Sequence, residues 1–269
     1  MPALQNHFKS WLQTPPASPP LGTWLMTAAP STAEAMGHVG FDFLVVDMEH
    51  VPIEVSDMAH LLRAVGCTAA EPVIRLAWND MVLVKRVMDA GGRTLMFPFI
   101  QTPEEAQAAV SYTRYPPEGV RGVAAVHRGS AYGQIPNYLK TANDAACVIV
   151  QLETPEAIAR LPEIAAVPGV DALFVGPGDL SAAMGFIGNI GHDEVQALIA
   201  FAAKAAKAAG KPIGIVGPTP EMVQRFLGYG YDYAAIASDL GMMTGRAVEW
   251  LGGLRGAAPA PTGPIASVY

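Results

Sequence analysis

Three titratable side chains, Asp47, Glu49 and His50, fall within four residues at the end of the apolar run Phe43-Leu44-Val45-Val46. Such a run reads as a strand buried on both faces. Charged groups at its end are costly unless they pair, bind metal or take part in chemistry. Three other apolar runs end in the same way. Pro72 to Leu76 carries Arg75, Ala146 to Leu152 carries Gln151 and is followed by Glu153, and Val170 to Val175 leads into Gly176-Pro177-Gly178-Asp179. Glu153 and Asp179 have no Lys or Arg nearby in sequence, and two carboxylates with a glutamine make a hard, oxygen-rich set suited to Mg²⁺ or Mn²⁺. His50 offers a general base and Asp47 its orienter. Arg75 supplies a fixed positive fork for a carboxylate or a developing enolate. Gly178 lets backbone N–H groups approach a ligand closely where a helix begins. Each residue also has a plainer reading: Asp47 and Asp179 as helix caps, Glu153 as a first-turn helix charge, His50 as a surface group, Arg75 as a rim ion-pair partner. Their common position at strand ends favours a shared site.

The elements that must position them alternate. Strands are expected at Leu21 to Met26, Phe43 to Asp47, Pro72 to Leu76, Thr94 to Pro98, Ala146 to Leu152, Val170 to Val175, Pro212 to Val216 and Tyr233 to Ala237. Helices follow them. One is capped by Ser31 with Glu34 completing a capping box, one is capped by Asp80, one opens at Thr102-Pro103, and one of about eighteen residues runs through Ala209. Eight strand–helix units in about 230 residues imply parallel strands closed into a (β/α)₈ (TIM) barrel, an α/β fold of one domain. A doubly wound open sheet is the alternative, but Ala28-Ala29-Pro30-Ser31 lacks the Gly-rich phosphate turn that it would use after its first strand. The barrel is expected over residues 21–255, with a helical turn and Pro-rich lead-in over 1–20 and a mobile Ala/Pro/Gly tail over 256–269. The irregular stretch from Arg114 to about Tyr138 is long for a loop inside a compact domain, and such loops are usually functional.

Bulk properties narrow the function classes. The chain is 51% hydrophobic and 15% charged, which supports a large core. A formal net charge of −7 argues against nucleic acid and anionic membranes as partners. Cys67 and Cys147 give no disulfide framework, Met1 to Gln13 contains no apolar signal-peptide segment, and no apolar run reaches membrane-spanning length. A cytoplasmic protein is expected. None of Lys9, Lys85, Lys140, Lys204, Lys207 or Lys211 sits at a strand's C-terminal end, so carbon–carbon chemistry here would be metal-assisted rather than through a Schiff base.

At these residues the chain resembles the HpcH/HpaI family of metal-dependent pyruvate aldolases. The resemblance is carried by Asp47-Met48-Glu49-His50, Pro72-Val73-Ile74-Arg75, Arg114-Tyr115-Pro116-Pro117 with Arg121-Gly122, Val150-Gln151-Leu152-Glu153 and Gly176-Pro177-Gly178-Asp179-Leu180-Ser181. His127-Arg128-Gly129 with Tyr132-Gly133 looks closest to the branch acting on 2-dehydro-3-deoxyglucarate, beside the 4-hydroxy-2-oxoheptanedioate aldolases. The resemblance implies reversible cleavage of a 4-hydroxy-2-oxo acid to pyruvate and an aldehyde. It implies Glu153 and Asp179 as ligands of a divalent metal (Mg²⁺ or Mn²⁺, with Co²⁺ a further candidate), Gln151, Gly178 and Arg75 as substrate contacts, and His50 as base. It also implies Asp89, reaching from a neighbouring subunit, as the acidic partner of His50, in competition with Asp47. A homo-oligomer, trimer or hexamer, is expected, with Trp250-Leu251 in an interface. Two departures from the family pattern, Met48 for Gly and Gly178 for Ala or Ser, bear on the pocket: Met48 is expected to narrow it or shift His50. Alternative readings are a related lyase acting on a CoA thioester, an oxaloacetate decarboxylase, or a barrel that binds a 2-oxo acid without turnover.

Overall fold

A computed structural model describes residues 4–256; residues 1–3 and 257–269, which hold nearly all of the tail expected to be mobile, lie outside the described residues. The eight strands are β1 (Leu21–Leu25), β2 (Phe43–Asp47), β3 (Glu71–Arg75), β4 (Thr94–Phe97), β5 (Cys147–Leu152), β6 (Ala172–Val175), β7 (Ile213–Gly217) and β8 (Tyr233–Ser238). They pair in sequence order, all parallel, and β8 pairs back to β1, so the sheet closes into a barrel. Closure explains the apolar composition of the strands. One side of each strand faces the axis and the other faces the covering helices, so all of β2 and all of β5 are buried.

Side chains alternate across a strand, and two apolar cores result. Leu44 and Val46 belong to the outer core beneath the helices, whereas Phe43 and Val45 belong to the core inside the barrel with Trp24, Met96, Phe174 and Tyr233. Parity therefore turns Asp47 toward the axis, and Arg75 and Gln151 with it, since Val73 and Ile149 are also interior. The interior accommodates its large rings because small residues face them: a Cβ on Gly22 would collide with the Phe43 ring, and one on Gly214 with the Tyr233 ring. The end where the strands begin is closed by the helix His7–Gln13, which Asn6 caps by accepting from the Lys9 N–H at 2.9 Å. Its Phe8 is 1% exposed and meets Phe43 and Tyr233 edge-on at 5.3 and 5.4 Å between ring centroids.

Three local expectations change. The helix Pro30–Val39 starts one residue before Ser31, with Ala29 as cap and no capping side chain. Pro30 takes the first turn, where its missing N–H is no loss. The single helix expected after Asp179 is two, Pro177–Ala183 and Asp193–Ala208, separated by a turn in which Gly185 and Gly188 take positive φ. The irregular stretch after Arg114 contains a short 3₁₀ turn, Arg128–Ser130, before the helix Tyr138–Ala145. Cys67 and Cys147 are unpaired, and among the described residues no helix is long and apolar enough to cross a membrane.

Phe8→Ala removes the buried ring that closes this end of the barrel, and should cost about 3–5 kcal/mol. Urea denaturation checks this; a loss below ~1 kcal/mol would show that the helix only lies on the surface.

Candidate functional site

The register of β2 and β3 sets Asp47 beside Arg75. Both are buried, at 0% and 2% side-chain exposure. Arg75 donates from Nε to Asp47 Oδ1 at 2.9 Å and from Nη2 to Oδ2 at 2.7 Å, a bidentate fork. Its Nη1 lies 3.0 Å from Glu49 Oε2, and its guanidinium carbon lies 4.3 Å from the centre of the Trp24 ring. Asp47 Oδ1 also accepts the Glu49 N–H at 3.0 Å and the His50 N–H at 3.4 Å. Asp47 therefore fixes both the guanidinium and the turn that carries His50. Glu49 Oε2 lies 3.8 Å from His50 Nε2, so Glu49 stands between Arg75 and the imidazole. Burial, then Arg75, holds the His50 pKa below its ordinary value, against Asp47 and Asp179.

Across the barrel mouth, Glu153 is 2% exposed, and Gln151 Nε2 donates to its Oε1 at 2.5 Å. The Phe99 N–H donates to Glu153 Oε2 at 2.9 Å. Phe99 adopts φ +52°, a conformation costing a bulky residue about 1–3 kcal/mol. Gly176 is required next to this pair, since a Cβ there would run into Glu153 Oε1 and Gln151 Nε2. Asp179 is exposed, in the first turn of Pro177–Ala183, where the helix dipole favours a carboxylate. Gly178 is buried in the same turn, and its carbonyl accepts from Ser181 Oγ at 2.7 Å.

These acids repel one another. Burial pushes the Glu153 carboxyl up to about 8, with Asp179 and Glu49 adding to the effect. Glu49 is pushed up to about 7, again by burial first, although Arg75 pulls it down. Gln151 Oε1 is buried with no hydrogen-bond partner. Repelling carboxylates beside an open amide oxygen fit a hard divalent cation. Among the described residues no group of three or more His, Cys, Asp or Glu converges on one point. Glu153 and Asp179 would therefore hold such an ion with several positions left for water or substrate oxygens, the habit of Mg²⁺.

The description HpcH/HpaI aldolase/citrate lyase matches residues 21–245, from the first strand into the last helix. The chain belongs to this family. It is 56% identical over 239 residues to a 2-dehydro-3,6-dideoxy-6-sulfogluconate aldolase of Pseudomonas putida, covering 89% of this chain and 94% of that one. It is 43% identical to a 5-keto-4-deoxy-D-glucarate aldolase of Salmonella arizonae, covering 82% and 87%. Among solved structures, an HpcH/HpaI aldolase/citrate lyase family protein from Burkholderia cenocepacia superposes with a TM-score of 0.90 at 40% identity, covering 93% of this chain and 100% of that one.

Not every residue expected in the site of this HpcH/HpaI chain is brought to it. Asp89 ends the helix Met81–Asp89, five residues before β4 begins, and so lies at the end of the barrel where strands start. His50 is at the other end. Within one chain the two cannot meet, and Asp89 instead pairs with Arg121 Nη2 at 2.7 Å and lies 3.5 Å from His127 Nε2. Met48 packs into the outer apolar core rather than the mouth, so its bulk bears on the backbone of the turn and does not narrow the pocket. Sequence reasoning did not find Trp24 over Arg75 or the Phe99 N–H on Glu153. Glu49 stood out in the sequence as a titratable group ending β2, and the structure sets it between Arg75 and His50.

The folded protein keeps a proton on Glu153 that the unfolded chain releases above about 4.5. Its contribution to stability is complete below that value and is lost as pH rises toward about 8. In EDTA, the melting temperature should fall across this window, and Glu153→Gln should flatten the slope; Mg²⁺ should raise the melting temperature most at the alkaline end. A slope unchanged in Glu153→Gln would remove Glu153 as its source.

Proposed function

We propose that the chain catalyses reversible retro-aldol cleavage of a 4-hydroxy-2-oxo acid, derived from a sugar acid or a dicarboxylate, to pyruvate and an aldehyde. The observation that carries this reading is the row of buried Asp47 and Arg75 with half-buried Glu49, beside the mutually repelling Glu153 and Asp179. The names of the aldolases to which the chain is similar support it. A divalent cation held by Glu153 and Asp179 would supply Lewis-acid stabilisation of charge on the 2-oxo acid oxygens.

The chain's own residues do the remaining work. Gln151 and the backbone at Gly178 contact the 2-oxo acid. His50, whose pKa is lowered by partial burial and by Arg75, accepts the proton of the C4 hydroxyl, directly or through water. Arg75 is clamped on two sides by carboxylates and on one face by Trp24, so its charge is in place before the enolate oxygen develops negative charge. Acting on a CoA thioester would call for a basic patch near the mouth. Arg114 and Arg121 are instead buried, donating to the Asn143 carbonyl and to Asp89.

Assembly completes the reading. In the helix Asp239–Leu254 only Asp239 is buried, while Val248, Trp250, Leu251 and Leu254 are 54%, 66%, 46% and 88% exposed. A helix with so little contact to its own barrel suits a homo-oligomer, trimer or hexamer, in which Asp89 of one chain approaches His50 of the next. Two unpaired cysteines suit a cytoplasmic location.

Pyruvate release from a panel of 4-hydroxy-2-oxo acids, with and without Mg²⁺ or Mn²⁺, tests the reaction. Arg75→Ala should lower kcat by about two to three orders of magnitude, the loss of one positioned donor. EDTA-treated Glu153→Ala cleaving at the parent rate would refute the metal assignment, and saturable pyruvate binding without release would leave a binding protein. Trp250→Glu with Leu254→Glu should reduce the mass seen by light scattering to that of smaller assemblies; an unchanged mass would put the interface elsewhere.

A further inference from the structure

At the end of the barrel opposite the aldolase site lies an open cavity of about 500 Å³, within the ~300–1,000 Å³ common for small-molecule sites. Its lining includes Asn6, His7, Glu71, Arg93, Thr94 and Arg128. Glu71 and Thr94 are the first residues of β3 and β4, so the cavity opens among the strand starts, one strand length from Arg75. None of the residues proposed for the aldol reaction lines it.

Two guanidinium groups line this cavity with one carboxylate, Glu71, within electrostatic reach of Arg93. Arg93 Nη1 donates to the Gln5 carbonyl at 3.1 Å, and Arg128 Nη1 to the Ala90 carbonyl at 3.0 Å. Arg93 Nε is shut off from solvent and has no hydrogen-bond partner. Among the described residues neither arginine has an acidic side chain within ion-pairing distance of 4 Å. Gly91 adopts φ +109°, and a Cβ there would occupy the place of the Arg128 guanidinium, so the backbone is shaped around that side chain. The facing titratable groups are Glu71 and His7, with Arg63 within electrostatic reach of Arg128. One acid against two fixed arginines leaves a local positive charge in a chain whose net charge is −7.

Guanidinium groups match tetrahedral oxyanions, which accept two parallel N–H bonds from one fork. We propose that this cavity is a second binding site that takes a phosphate group, carried by a small phosphorylated molecule whose remaining atoms fill the rest of the cavity. The guanidinium edges that Arg93 and Arg128 turn to the cavity hold the phosphate oxygens. This site stands apart from the aldolase reading, because it needs neither the metal nor the 2-oxo acid.

The test is calorimetric titration of the full chain with inorganic phosphate and with glycerol 3-phosphate, at ionic strength held constant with NaCl. Both should bind saturably, the ester more tightly, and saturating pyruvate with Mg²⁺ should leave both titrations unchanged. Arg128→Gln, at a half-buried position, should weaken both at least tenfold. Arg93→Gln should do the same, and its melting curve reports whether it folds; Arg128→Gln carries the test if it does not. Three results would overturn the proposal: no saturable binding, displacement of phosphate by pyruvate, or parent affinity in Arg128→Gln. Dissociation of the oligomer by phosphate would also overturn it, identifying the cavity as an interface for an acidic segment of another copy. Pyruvate release is measured separately, so failure of either assignment leaves the other standing.

Discussion

A buried charge sets the terms for this barrel mouth. The Arg75 guanidinium is almost wholly removed from water, and it is tolerable there because Asp47 meets it with two parallel hydrogen bonds while Glu49 and Trp24 take the remaining sides. Removing one partner from such a pair would strand the other, at about 3–5 kcal/mol. The pair is therefore rigid, and rigidity is what an electrostatic catalyst requires: its charge must already be aimed when the substrate's charge appears. The same carboxylate holds the turn of Glu49 and His50, so fixing Arg75 also fixes the base.

The other half of the mouth is arranged in the opposite sense. Glu153, Asp179 and Glu49 lack enough positive charge among themselves, and burial raises the carboxyls of Glu153 and Glu49 as a result. Strain is concentrated in the same place: Phe99 adopts a left-handed backbone to donate its N–H to Glu153, and Gly176 leaves out a side chain to let Glu153 and Gln151 approach. Such costs persist only where the surrounding structure holds them in place, and they cluster at active sites and ligand clamps. In one half of the site the chain's own residues balance the charge, and in the other the carboxylates of Glu153 and Asp179 would suit a divalent cation.

The arginines and acids outside the mouth divide the rest of the molecule. Asp89, Arg121 and His127 knit the long segment after Arg114 to the end of the helix Met81–Asp89, while Arg93 and Arg128 are held by carbonyls and make no ion pair within 4 Å among the described residues. A chain with an overall negative charge thus carries a positive pocket at one end of its barrel and a negative one at the other.

Much of this was written in the sequence. Alternating apolar runs and helical stretches specify a parallel barrel, because buried parallel strands need continuous apolar residues and each crossover has room for one helix. The polar groups ending those runs, Asp47, Arg75, Gln151, Glu153 and Asp179, were legible because a polar side chain after a buried strand needs a reason. What the sequence left open were contacts between residues far apart in the chain. Asp47 read as an orienter of His50, and it does accept the His50 N–H, but strand register and inward parity also give both its oxygens to Arg75. Met48 read as a pocket residue, and the turn carries it into the outer core. Asp89 read as a partner of His50 from a neighbouring subunit, and the return path of its helix, which sets it at the other end of its own barrel, leaves that approach to another chain. Local pattern determines which residues lie on a strand and where it ends. Which of them touch is decided by register, closure and the direction of each helix, and those exist only once the whole sheet has closed.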